Sequence, residues 1–156
     1  MTDEARKKKA QAMEQSIRSY FDACNAADVE GIRSCFVADA VHYFPPGMYG
    51  GPFRGAGDIA AKWKAAVANF GSFWTVDHVI VDPETNRAVI EWTHFKTKLG
   101  TVLRGDEWYV FDPSGILIRE IRAYYASPAD PQLSRLELGG FDYEERGYPV
   151  SPPERR

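Results

Sequence analysis

The chain has 156 residues, 44% of them apolar and 13% aromatic, with a formal net charge of −3. That length fits one domain with a sizeable core, and the composition excludes global disorder. No basic stripe invites nucleic acid, and no apolar run approaches the ~18 residues of a membrane span.

In chain order, the opening MTDEARKKK lacks the apolar region of a secretory signal, so a cytoplasmic location is expected. Its basic run, Lys7 to Lys9, reads as a solvated arm. Met13, Ile17, Tyr20, Phe21 and Cys24 then mark one face of a helix. Asn25-Ala26-Ala27-Asp28 breaks it, and Asp28 is a candidate N-cap for a short second helix carrying Val29, Ile32, Cys35 and Phe36. Cys24 and Cys35 are too few for a disulfide framework and read as buried free thiols. Ala40 to Phe44 reads as a strand stopped by Pro45-Pro46-Gly47, and the Gly- and Pro-rich stretch from Pro45 to Gly57 as a loop. A third helix, capped by Asp58 or its neighbours, has Ile59, Trp63, Ala66, Val67 and Phe70 on one face.

From Phe73 the period becomes two. Strands are expected at Phe73–Val81, Ala88–Lys98, Val102–Phe111 and Ile116–Tyr125, joined by short turns as an antiparallel meander. Residues 127–156 form a Pro-rich extension to a domain of residues 1–126. Its apolar anchors Leu133, Leu136, Leu138, Phe141, Tyr143 and Tyr148 predict packing along the domain or onto a partner subunit.

Within this frame, Tyr20-Phe21-Asp22-Ala23-Cys24-Asn25-Ala26-Ala27-Asp28, then Phe36-Val37-Ala38-Asp39-Ala40-Val41 and Pro45, resemble the start of ketosteroid isomerases and SnoaL-like polyketide cyclases. Glu107 to Gly115 and Glu120 to Tyr125 resemble the closing hairpin of the same families. The resemblance covers roughly residues 13 to 126. It implies an α+β, cone-shaped fold of the nuclear transport factor 2-like superfamily, with three N-terminal helices packed in a curved antiparallel sheet around a half-open pocket. It also implies roles. The isomerases' helix-one tyrosine falls at Tyr20. Their neutral carboxylic acid on the third meander strand falls at Glu107, where SnoaL-like cyclases also place an acid/base carboxylate. Their carboxylate base falls at Phe44, which cannot take a proton.

The residues themselves add to this. Strand alternation puts Glu107 on an apolar face with Tyr109 and Phe111, and desolvation of a lone carboxyl there marks a candidate functional group. His42 and His94 are the two candidates for the missing base, and His78 reads as surface. Phe44, Tyr49, Phe53, Trp63, Trp92, Tyr109 and Tyr125 are candidate pocket residues, with Tyr49 and Phe53 on a loop suited to be a lid. Arg119 joins them if it shares the face of Ile121, Ala123 and Tyr125. The histidines lack metal-ligand spacing, and the glycines between residues 47 and 57 match no phosphate-binding motif, so neither metal nor nucleotide is expected. The expectation is a cofactor-independent enzyme doing acid–base chemistry on an oxygenated aromatic or polycyclic small molecule: isomerisation, cyclisation, dehydration or retro-aldol cleavage. The alternative is a non-catalytic binding or association module. Outward-facing Trp108, Val110, Arg122 and Tyr124 point to a homodimer through the convex sheet face.

Overall fold

The first helix begins well before its apolar face does. In the computed structural model, which describes residues 1–44, 48–125, 135–136, 143–145 and 147–154, α1 spans Asp3–Asn25. The Thr2 side chain caps it by accepting from the Ala5 N–H, and Asp3 and Glu4 sit favourably against the positive end of the helix dipole. The lysine run expected as an arm lies inside this helix, because Ala, Lys, Arg and Gln are strong helix formers that need no buried stripe. The expected face of Met13, Ile17, Tyr20, Phe21 and Cys24 is buried. Asp28 caps α2 (Val29–Ser34) by accepting from the Gly31 N–H. Phe36, expected in that helix, instead opens β1 (Phe36–Tyr43).

After β1 the expected loop contains a two-residue strand, β2 (Phe53–Arg54), antiparallel to β1. Pro45 to Gly47 lie outside the described residues. Helix α3 (Ala56–Phe70) buries Ile59, Trp63 and Ala66. It starts at Gly55 rather than Asp58, whose Oδ2 instead accepts from the Arg54 N–H inside the first turn. It stops at Gly71, which has φ 63° and whose N–H satisfies the last carbonyls. A Cβ there would lie 2.2 Å from Thr97 Oγ1, so only glycine fits this cap.

The meander follows as β3 (Ser72–Asp82), β4 (Arg87–Lys96), β5 (Thr101–Phe111) and β6 (Ile118–Tyr124), each antiparallel to the next. Strand β1 then joins the free edge of β6 in parallel, so the order is β2-β1-β6-β5-β4-β3. The parallel pairing brings His42 beside Ile121 and carries α1, α2 and α3 onto the inner face. At Trp74 the open edge of β3 is met by Asn25. Its side chain donates to the Trp74 carbonyl and accepts from the Trp74 N–H, both at 2.8 Å, as a neighbouring strand would.

The outer face holds a polar chain. Asp77, the extra residue of a bulge in β3, accepts from Thr75 and Thr93, and Arg104 donates to Thr93 at 2.6 Å. Arg104 is nevertheless buried. It donates to the Pro149 carbonyl at 2.9 Å and lies over the rings of Tyr143 and Tyr148 at 4.1 and 5.9 Å. The Tyr148 hydroxyl donates to Glu91, and a short strand β7 (Arg135–Leu136) pairs with β5 at Val102 and Leu103, beyond the end of β6. Leu133, Leu138 and Phe141 lie outside the described residues. The contacts of Arg104 generate a prediction. Deleting residues 127–156 strips its carbonyl and both rings, a loss of about 2 kcal/mol or more, and is expected to lower the melting temperature by roughly 4–8 °C. An unchanged melt would show that the extension contributes nothing to the fold.

Candidate functional site

Between the inner face of the sheet and helices α1 and α3 lies a cavity walled mainly by aromatic rings. Tyr20, Phe21 and Cys24 reach it from α1, Trp63 from α3, Trp74 from β3, Trp92 and His94 from β4, and Leu103 and Glu107 from β5. Ala123 and Tyr125 close one side, Phe44 and Tyr49 another. Period-two alternation delivers the strand residues: Trp92 pairs with Gly105 and His94 with Leu103, so all share the concave face. The free volume is about 20 Å³, room for about one water. A larger guest therefore needs wall side chains to move. Tyr49, 38% exposed, is the most accessible of the wall side chains.

Glu107 is the buried carboxyl of this cavity. Its Oε2 accepts from the Tyr109 hydroxyl at 2.6 Å. Its Oε1 lies 3.4 Å from His42 Nε2, an ion-pair distance if the imidazole is protonated, but not a formed hydrogen bond. Neither His42 nitrogen has a hydrogen-bond partner among the described residues, although His42 is only 1% exposed. The imidazole stacks on Phe44, centroids 4.2 Å apart. A buried polar group left in this state requires an explanation, and a proton that can be passed to or from Glu107 is one.

Burial raises the Tyr109 hydroxyl well above its usual range, and the charge of Glu107 adds to this. The Tyr20 hydroxyl is raised by burial first, then by Cys24 and Glu107. Both phenols stay protonated and serve as donors. The Tyr20 oxygen also accepts from Trp63 Nε1 at 2.7 Å, which fixes the ring of Tyr20 at the cavity wall.

His94 occupies the other end. Leu103, its partner in register, is four residues from Glu107 along β5, about 13 Å at strand rise. His94 Nε2 meets Ser72 Oγ at 2.8 Å, and the ring stacks on Trp74 at 4.4 Å. Burial, helped by the charge of Lys96, pushes its pKa down to about 3.

The candidates from sequence thus separate. Tyr20, Glu107, His94, Phe44, Tyr49, Trp63, Trp92 and Tyr125 face the cavity. His42 and Tyr109 stand behind Glu107, and Phe53 packs behind Phe44 and Trp63. Arg119 is exposed and outside the lining. The register of β6 against β5 slips between Glu120 and Ile118, which makes Arg119 the extra residue of a bulge and reverses its face. His78 is exposed and bonded to Glu91. Trp74, Ser72 and Gly105 were not singled out. Trp74 carried only an aromatic signal. Ser72 carried none. Gly105 sits where the Trp92 ring lies against β5, and a Cβ there would come within 2.7 Å of that ring. Among the described residues, no group of three or more His, Cys, Asp or Glu could hold a metal ion, and no helix is long and apolar enough to cross a membrane.

Comparison with known proteins agrees with this architecture. The family model for a SnoaL-like domain matches residues 17–121. A structure from Methylobium petroleophilum PM1, a protein of unknown function with a cystatin-like fold, is 56% identical, with a TM-score of 0.74, covering 94% of this chain and 97% of that one. The epoxide hydrolase/cyclase-like enzyme SalBIII of pyran ring formation in salinomycin is 16% identical, TM-score 0.62, covering 81% and 95%. A Mycobacterium tuberculosis protein in complex with estradiol-17beta-hemisuccinate is 17% identical, TM-score 0.62, covering 74% and 94%. The last two likenesses are of fold alone. No curated protein matches the chain.

The state of His94 sets a pH dependence. Its folded pKa, about 3, lies below the ordinary 6.5, so the unfolded chain binds the extra proton between those values. Its contribution is intact above pH 6.5 and falls as pH drops, by about 1.4 kcal/mol per unit. Urea unfolding from pH 6.5 to 4.5 is expected to show that slope, and His94→Asn to flatten it. Equal slopes in both proteins would remove His94 as the cause.

Proposed function

The chain belongs to the SnoaL-like domain family, and from that premise we propose that it is a cofactor-independent enzyme acting on a small oxygenated aromatic or polycyclic molecule. The observation that carries the reading is the buried carboxyl of Glu107 at an apolar cavity wall, held by Tyr109 and faced from behind by the otherwise unpartnered His42. In this reading Glu107 and His42 hold one proton between them. Glu107 takes a proton from the guest, or gives one, and His42 resets it; Tyr109 keeps the carboxyl aimed. Tyr20, a protonated phenol at the same wall, donates to an oxygen on which negative charge develops. Proton transfer next to such an oxygen serves isomerisation, cyclisation, dehydration or retro-aldol cleavage alike. That a neighbour of the same fold is an epoxide hydrolase/cyclase-like enzyme supports the class.

A second reading is a non-catalytic small-molecule binder. It is favoured by His94, whose imidazole bonds Ser72 rather than Glu107, and by the neighbour that carries a bound estradiol derivative. The two part on mutation. Thermal shift against aromatic ketones and lignin-type alcohols finds a substrate. Glu107→Gln, which still accepts from Tyr109, is then expected to cost turnover roughly 10²–10⁴-fold with the fold intact. His42→Ala should fall in the same range and His94→Ala far less. Turnover in Glu107→Gln equal to the wild type would leave only the binder.

The location we infer is cytoplasmic and the assembly a homodimer. On the convex face Trp108 and Tyr124 are 44% and 55% exposed, beside half-buried Val110 and Arg122. Such rings suit a two-fold sheet-to-sheet contact. Light scattering at micromolar concentration is expected to give twice the monomer mass, and Trp108→Glu the monomer mass. A monomeric wild type would refute the pairing.

A further inference from the structure

The substrate class is legible in two features of the cavity that the acid–base mechanism does not use. Trp92 is 4% exposed and lies in the wall, yet its Nε1 is buried with no hydrogen-bond partner among the described residues. Trp63, by contrast, donates its indole N–H to Tyr20. A buried N–H without an acceptor is a costly vacancy that a guest oxygen can fill. Trp92 is also held with little freedom. Its ring lies against Gly105, where a Cβ would come within 2.7 Å, and it meets Tyr125 edge-on at 5.7 Å.

The second feature is charge. The wall holds one carboxyl, Glu107, and no lysine or arginine. Arg119 points away, and Lys96, whose charge acts on His94, sits over the Phe70 ring outside the lining. His94, with a pKa of about 3, is neutral near neutral pH. An anionic guest would enter a desolvated site whose wall supplies no lysine or arginine as counter-charge.

We propose that Trp92 is a specificity-determining donor, and that the cavity selects a neutral, flat aromatic carbonyl compound whose oxygen accepts from the Trp92 indole N–H. This rests on the small-molecule reading above and refines it. Gly105, the partner of Trp92 in register, is two residues from Glu107, about 7 Å along the strand. The donor therefore grips the guest beside the carboxyl that moves the proton, and His94 and Ser72 remain for a polar group further along.

Three probes of one skeleton test this: naphthyl methyl ketone, ethylnaphthalene and naphthoate. Each is titrated into nitrogen-15-labelled protein, and the four tryptophan indole N–H resonances are followed. Trp92→Phe, checked for folding by its remaining spectrum, identifies the Trp92 signal. The expected result is a downfield shift of that signal with the ketone and not with the hydrocarbon. The ketone should bind at least about tenfold more tightly than naphthoate and lose several-fold in affinity in Trp92→Phe, as expected for a buried hydrogen bond. Equal shifts with ketone and hydrocarbon, naphthoate binding as tight as the ketone, or no binding of any probe to folded protein would each overturn it. The outcome is separable from catalysis. Ketone binding at Trp92 that survives in an enzyme-dead Glu107→Gln supports this inference, and Glu107-dependent turnover with an unmoved Trp92 signal defeats it while leaving the mechanism standing.

Discussion

A carboxyl group on the inner face of an apolar sheet has lost its water, and everything beside it must compensate. Glu107 is in that position. Its replacement for water is one phenol, Tyr109, two residues along the same strand, and one imidazole, His42, from a strand far away in sequence. Neither is a fixed cation. The carboxyl is therefore held by groups that carry exchangeable protons rather than by a permanent counter-charge. The parallel seating of β1 on β6 places His42 next to Ile121, one strand from Glu107, whose own register partner on β6 is Ala123. Without that pairing the acid would keep Tyr109 but lose its imidazole.

The aromatic wall follows from the same constraint. A curved sheet with helices on its concave side leaves space that side chains must fill, and large rings fill it with few rotatable bonds. Trp63 meets Trp74 edge-on and Trp74 stacks on His94, while Phe44, Tyr49 and Phe53 form a second cluster around His42. The rings leave about 20 Å³ free. The cavity is a site closed by its own aromatic side chains, and its polar atoms are few enough to be read one by one. Trp63 donates to the Tyr20 oxygen, and His94 meets Ser72. His42 and Trp92 are left wanting.

The outer face obeys a different rule. There Asp77, Thr93 and Arg104 form a hydrogen-bonded line that would be ordinary on a wet surface. The rings of Tyr143 and Tyr148 cover the guanidinium and make it part of the interior. The half of the face carrying Trp108 and Tyr124 has no such cover among the described residues.

How much of this was legible in the sequence depends on how local each signal was. Helical periodicity marked the buried face of α1 residue by residue, Asp28 announced a cap, and alternation set the meander and the inward position of Glu107. Those patterns are written in neighbouring residues, and short-range geometry reads them. The family resemblance, resting on stretches such as Tyr20 to Asp28, pointed to the same cone. What only the tertiary structure decided was whatever crosses between distant elements or depends on register. A bulge at Arg119 turned one candidate out of the site, since a single extra residue reverses the face of a strand. The two histidines were equivalent in sequence, and strand pairing alone put His42 at the acid and His94 against Ser72 further along the same face. The vacancy at Trp92 was equally invisible, because whether a donor has an acceptor depends on every chain segment that could have supplied one.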